Sequence, residues 1–425
     1  MIAWLLISFA VMMVLGVPIG ISLGLSAMGG IIFLDGGSLV TVTQRMFEGM
    51  NSWALLAVPL YTFAGYTMSK GGISKRLMDF CYSIVGHIYG GLAHVNVLAS
   101  MIFAGISGSA VADTAGVSGM FMPEMVRKGY SKELSVTVTA VSSTIGIIIP
   151  PSIPMVVIAG ICGISTGKMF LGGILPGILI GIVQMVISYF FAKKEGVQPE
   201  SGRFTFKELG RTFLGSWPAL LMPFVIITTI TSGVVSPTEA GAIAVVYGLF
   251  CGGIVYKELK LEDIKFCFTE TVRVSARIFV VIAGAKLYTI LLTTAGFDRW
   301  LTGVMLGVST SPTVILAMIL LLFFFVTMFM ESIAALTLFM PIVFPIAMSV
   351  GVDPIVLGVL VTCMIGVGLV TPPVGMCLYV ACDLMKIRIG STFKYLLWYI
   401  LGSFVVFGIC MAFPSLITAA GALMG

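Results

Sequence analysis

Two Pro-Pro pairs interrupt long apolar runs: Pro150-Pro151 between Ile147 and Ser152, and Pro372-Pro373 between Leu369 and Val374. Proline lacks a backbone donor and clashes with the preceding helical turn, so each pair predicts a helix split into two halves with polar backbone groups left at the break. A soluble core gains nothing from such a break. In a membrane, paired breaks in corresponding halves of a chain point to an ion or substrate site near the midplane, built from half-helix ends. The spacing from Pro150 to Pro372 is close to half of the 425-residue chain, which predicts an inverted repeat.

Composition makes the membrane the right solvent. Hydrophobic residues are 59% and charged residues 10%, with a mean hydropathy of +1.13, values foreign to a water-soluble globule of this size. Apolar stretches of about 17 to 25 residues fit helices through a hydrocarbon core of about 30 Å, and alternating barrel strands are excluded. The fold class is therefore all-α and polytopic in a lipid bilayer. Met1 to Phe33 lacks the basic leader and cleavage site of a secretory signal and reads as retained structure. The eight cysteines form no CxxC pair and read as small core hydrophobes. The net charge of +5 is spread over loops, which argues for membrane topology and against nucleic acid. With the basic loops on the cytoplasmic side, both termini lie outside, provided that Gly16-Val17-Pro18 turns the first run into two short spans. Leu34 to Gly49 is then an external turn.

Two stretches, Leu77 to Tyr89 and Trp300 to Val308, are too short to span and are expected along the membrane surface. A re-entrant hairpin follows each: Gly90 to Glu124 with its tip at Gly105 to Ala110, and Pro312 to Val352 with its tip at Met330 to Ala335. Broken helices come next, Leu134 to Cys162 and Ile355 to Leu384. Met122-Pro123 and Met340-Pro341 mark matching places in the two hairpins. The expected division is scaffold helices over 1–76, an interfacial arm over 77–89, a first hairpin and broken helix over 90–165, scaffold over 166–296, a second arm over 297–311, a second hairpin and broken helix over 312–385, and a C-terminal scaffold helix over 386–425.

Half-helix C-termini offer carbonyls to a cation, and N-termini offer donors to an anion. Around the first break lie Ser107, Ser109, Ser142, Ser143, Thr144 and Ser152, with Gly108 and Gly146 allowing close backbone approach. Around the second lie Glu331, Ser332, Thr337, Thr371, Gly366 and Gly368. Hydroxyl and carbonyl oxygens are hard ligands suited to sodium and unsuited to copper or zinc. Glu331 and Asp113 are the deepest acids, and an ionisable group at that depth needs a cation, a donor or water. Glu331 is expected to touch substrate or cavity water; Asp113 does the same or caps a hairpin arm. The bland reading is that Ser and Thr bond their own i−4 carbonyls and that the glycines let helices pack. Ser236-Pro237-Thr238-Glu239 reads as a helix start after an external turn.

The runs Gly105 to Asp113, Met122-Pro123-Glu124-Met125 with Gly129-Tyr130, Gly146 to Ser152, and Thr371-Pro372-Pro373-Val374-Gly375 resemble the large membrane subunit of tripartite ATP-independent periplasmic (TRAP) transporters, over essentially the whole chain. The resemblance implies an elevator-type transporter of a bacterial inner membrane, in which two hairpins and two broken helices slide against a scaffold, driven by two or more sodium ions. It implies a small four-helix membrane subunit, expected as a separate polypeptide, and a periplasmic binding protein that delivers an organic acid. Carried onto matching positions, it puts sodium near Ser107, Gly108, Thr144, Gly146 and Pro150, and near Ser332, Gly366, Gly368 and Thr371. Substrate would lie near Ser109, Ser152 and Glu331, with Asp113 beside them. Family substrates include C4-dicarboxylates, sialic acid and other sugar acids. A second carboxylate would be repelled by Glu331 whereas sugar hydroxyls could donate to it, which favours sialic acid.

Other functions fit less well. Gly105-Ile106-Ser107-Gly108 matches the GxSG of intramembrane serine proteases, but His87 and His94 both precede the serine and no later span supplies a base. Gly163 to Met169 is one residue short of a phosphate-binding loop and lacks the hydroxyl after Lys168, so no enzyme is expected. A channel would also use re-entrant loops, but hairpins opening to opposite faces suit alternating access.

Overall fold

The computed structural model describes residues 1–35, 39–198 and 205–421, and within them not the side chains of a few positions that include Ile106 and Ser107. All regular elements among the described residues are helical, because backbone groups in hydrocarbon must be satisfied within their own segment. Among the described residues six helices are long and apolar enough to cross a membrane, including Thr166–Lys194, Phe206–Thr231 and Leu261–Thr294. The last is about 51 Å long at about 1.5 Å per residue.

The first hairpin comprises Gly91–Ser107 and Ala110–Arg127, and its broken helix comprises Lys132–Ser143, a 3-10 turn Thr144–Ile147, and Ile153–Cys162. The second hairpin comprises Pro312–Thr327 and Ser332–Ser349, followed by Pro354–Gly368 and Met376–Met385. Helices starting at Gly91, Ala110, Lys132 and Ile153 find counterparts starting at Pro312, Ser332, Pro354 and Met376. The offset is constant to within one position either way, and it is the register that pairs Pro150 with Pro372. Both Pro-Pro peptide bonds are cis. The capping agrees with this register. Ser131 Oγ accepts from Leu134 N at 3.1 Å, and its counterpart Asp353 accepts from Ile355 N and Val356 N at 2.8 and 3.0 Å, each satisfying otherwise orphaned donors of a first turn.

Packing between the repeats is reciprocal. Ala110–Arg127 packs on Met376–Met385, and their counterparts, Ser332–Ser349 and Ile153–Cys162, pack on each other. In the flanking helices, Ile19–Gly30 packs on Leu261–Thr294 while Ala57–Lys70 packs on Pro237–Phe250. Contacts exchanged in this way are those of a two-fold relation. The repeat thus extends beyond the hairpins and broken helices to the helices that frame them.

Several expectations shift. Helices Thr166–Lys194 and Phe393–Ala412, expected as scaffold, pack on each other, on Ser415–Gly421 and on the hairpins and broken helices. A Cβ on Gly173 would overlap the Ile148 carbonyl and one on Gly177 would crowd Ile149, so only a glycine face lets Thr166–Lys194 reach the break. Hydropathy registers an apolar helix, not the neighbour its small residues select. The two stretches expected along the membrane surface form the helices Ile73–Val85 and Phe297–Val308; the first starts earlier than expected because Gly72, at φ +76°, turns the chain directly into it. The external turn expected at Leu34 to Gly49 contains a helix, Leu39–Met50, whose Val42 is buried; residues 36–38 of that stretch lie outside the described set. The first run does split, into Ile2–Val14 and Ile19–Gly30 with Gly16 at φ +78°. The hairpin prolines pair differently: in the register of the proline pairs the counterpart of Pro123 is Pro345, not Pro341, and both stand at the fourteenth position of an 18-residue helix.

Candidate functional site

At the first hairpin tip the helix Gly91–Ser107 ends on Gly108, whose φ of +65° a side chain would oppose. Ser109 is extended and caps Ala110–Arg127 through Ala112 N at 3.5 Å. The Gly108 carbonyl accepts from Ile153 N, just beyond the proline pair, at 3.4 Å, so the tip is stitched to the break of its own repeat. Ser152 joins the two halves of that break: its hydroxyl donates to the Ile147 carbonyl at 2.5 Å and accepts from Met155 N at 3.2 Å. Asp113, buried in the first turn beyond the tip, lies against Gly146, where any Cβ would overlap its Oδ2. The predicted ligand Ser107 has a side chain outside the described set.

At the second tip Glu331 occupies the position equivalent to Ser109. Its carboxylate caps Ser332–Ser349, accepting from Ile333 N at 2.9 Å and Ala334 N at 3.3 Å, and takes the Ser332 hydroxyl at 2.5 Å. A carboxylate at a helix N-terminus is stabilised by these donors and by the helix dipole. The stitch recurs here: the Met328 carbonyl accepts from Val374 N at 3.2 Å and Gly375 N at 3.5 Å. Gly368 lies against Thr327, whose Oγ1 a Cβ would overlap. The Gly368 carbonyl accepts from Thr371 N at 3.0 Å, and Thr371 Oγ1 donates to the Val367 carbonyl at 2.7 Å.

The two halves meet at two points. A Cβ on Gly366 would stand 3.2 Å from Thr144 Cβ. In the register of the repeats these are equivalent positions, and equivalent positions touch only near the axis relating the repeats. The second point is the first turn of Met376–Met385, which packs on Ala110–Arg127; its buried Cys377 lies within electrostatic range of Asp113 and Glu331, one acid from each hairpin. Four half-helix or hairpin-arm N-termini and two half-helix C-termini surround this centre, so donors for an anion and hydroxyl and carbonyl oxygens for a hard cation lie side by side.

Other hydroxyls beside the breaks make hydrogen bonds within the fold. Ser142 accepts from Ser100 at 3.0 Å and donates to Asn96 Oδ1 at 3.3 Å, while Asn96 donates to Thr139 at 2.7 Å; this buried network fastens the first hairpin to its broken helix. Ser143 bonds the Thr139 carbonyl at 2.7 Å and Thr337 the Ile333 carbonyl at 2.8 Å, the ordinary i−4 pattern. Thr144 bonds the Val141 carbonyl at 2.7 Å. Asn96, Ser100, Thr114, Thr327 and Cys377 were not singled out. Thr327 was within reach of the register argument, since the offset between the proline pairs makes it the counterpart of Gly105, in the tip motif. Cys377 follows the second break directly.

The family model for the DctM component of the tripartite ATP-independent periplasmic transporter matches residues 6–416. The chain is 36% identical over 414 residues to the sialic acid TRAP transporter large permease protein SiaM of Vibrio cholerae, covering 97% of this chain and 95% of that one. It is also 36% identical over 374 residues to the C4-dicarboxylate TRAP transporter large permease protein DctM of Pseudomonas aeruginosa, covering 88% and 87%. Among solved structures, the YdaH transporter of Alcanivorax borkumensis superposes with a TM-score of 0.63 at 15% identity over 91% of each chain, a likeness of fold.

Proposed function

Because the chain belongs to the tripartite ATP-independent periplasmic transporter family as its DctM component, we propose that it takes up an organic acid by sodium-coupled secondary transport. It is a multi-pass permease of the inner membrane and not an enzyme. The observation that carries the reading is the convergence of both hairpin tips and both breaks, through Thr144, Gly366 and Cys377, on one polar centre related by a two-fold axis. Such a centre suits alternating access, in which either repeat can open to its own side.

In this reading sodium is cargo. One ion is held by oxygens at Ser107, Gly108, Thr144, Gly146 and Pro150, and another at Ser332, Gly366, Gly368 and Thr371. Support comes from the donor set: helix ends and hydroxyls, with no cluster of three His, Cys, Asp or Glu among the described residues. The substrate lies between Ser109, Ser152, Asp113 and Glu331. The moving body holds the hairpins and broken helices together with Thr166–Lys194 and Phe393–Ala412, carried on the two arms. A small membrane subunit and a periplasmic binding protein complete the system, and both termini face the periplasm.

Relatives named for sialic acid and for C4-dicarboxylates are equally similar, so identity does not choose between them. Glu331 supports the former. Three of its roughly four acceptor positions are taken by Ile333 N, Ala334 N and Ser332 Oγ; the remaining one can accept a sugar hydroxyl, whereas a second substrate carboxylate would meet like charge. Uptake in proteoliposomes holding this chain, the small subunit and the matched binding protein is the test. Sialic acid should accumulate only with a sodium gradient. Accumulation unaffected by replacing sodium with potassium removes the coupling, and succinate outcompeting sialic acid removes the substrate assignment.

A further inference from the structure

Gln184 lies in the middle of Thr166–Lys194 and is only 1% exposed. Its Nε2 donates to the Val141 carbonyl at 3.3 Å. That carbonyl also takes the Thr144 hydroxyl at 2.7 Å, so Gln184 braces the C-terminal end of the half-helix Lys132–Ser143, the end that carries Thr144 and Gly146. Its other amide atom, Oε1, is buried with no hydrogen-bond partner. A buried amide oxygen left without a donor is costly, and a hard oxygen beside half-helix carbonyls is where an electropositive partner is most favoured. The equivalent position in the second repeat is Val406, which is buried and apolar. General packing of the repeat therefore does not call for an amide here.

We propose that Gln184 is a positioning residue for cation binding at the first break, fixing the Val141 carbonyl and contributing Oε1 toward the ion or a water on it. This rests on the sodium-coupled reading. The test is sodium-dependent thermal stabilisation of the purified chain, alone and with its small subunit, at constant ionic strength with potassium as the exchange ion, since a ligand bound only by the folded state raises its melting temperature. In Gln184→Met, of similar size, the sodium concentration giving half-maximal stabilisation should rise about three- to ten-fold, the scale of one lost buried hydrogen bond. Half-saturation for organic acid at saturating sodium should stay unchanged in proteoliposomes. Ser188→Ala, one turn along the same helix, removes the bond to Tyr399 at 2.8 Å and should lower the melting temperature without moving the sodium midpoint. A wild-type midpoint shared by Gln184→Met, or an equal shift in Ser188→Ala, overturns the proposal alone. A wild-type protein equally stabilised by sodium and potassium overturns it together with the sodium-coupled reading.

Discussion

At the first hairpin tip the cap is a hydroxyl, Ser109, and the acid, Asp113, stands one turn behind it against Gly146. At the second tip the acid, Glu331, is itself the cap, and a hydroxyl, Thr327, stands against Gly368. The breaks differ in a related way. Ser152 closes the first with its side chain, whereas the second, where the counterpart is Val374, is closed by backbone alone, Cys377 N donating to the Leu369 carbonyl at 3.0 Å. The repeats thus keep one backbone plan and exchange the places of carboxylate and hydroxyl. The two tips built this way share a backbone geometry and differ in where the charge sits.

The largest effects test what the repeats share. Gly146→Ala and Gly368→Ala should each lower the initial uptake rate by about five-fold or more, because overpacking a closed contact costs about 1–3 kcal/mol and about 1.4 kcal/mol is a factor of ten. If one variant transports normally, the close approach matters in one repeat only. The caps test what differs. Glu331→Ala should destabilise by about 1.5–3 kcal/mol, as for bonds to a charged group, and Ser109→Ala by about 0.5–2 kcal/mol, read as thermal or denaturant midpoints in detergent. The reverse order would mean that the charge at the second tip does not serve the cap. The smallest effect belongs to the breaks: Ser152→Ala should cost about 1 kcal/mol, while Val374→Ser should leave the midpoint nearly unchanged because the backbone already makes that closure. A gain in Val374→Ser would show that the second break lacks what the first has.

Much of this was legible in the chain. Pro150-Pro151 and Pro372-Pro373 located both breaks because proline acts on its own backbone whatever surrounds it, and Gly108 and Glu331 marked the tips because caps and left-handed glycines are local signals. What was not legible depended on partners. The packing of Thr166–Lys194 and Phe393–Ala412 on the hairpins and broken helices leaves no mark in the chain, because an apolar helix carries no label for the surface it joins. Pairing Met122-Pro123 with Met340-Pro341 followed identical letters, where the register set by the proline pairs led to Pro345. Cys377 read as filler because most of the cysteines are that; its helix packs on an arm of the other repeat's hairpin, which no local signal foretells. Gln184 stood out only once its oxygen had been followed into the interior.

The contact between Thr144 and Gly366 carries a constraint on descent. On the axis, whatever one copy places there meets its own twin, and a chain with threonine in both would bring two branched carbons to about 3.2 Å before their methyl groups were counted. Two halves that both bore this threonine would have to part by a few tenths of an ångström. Unlikeness at that pair is favoured by sterics alone, so a departure from symmetry there needs no functional advantage.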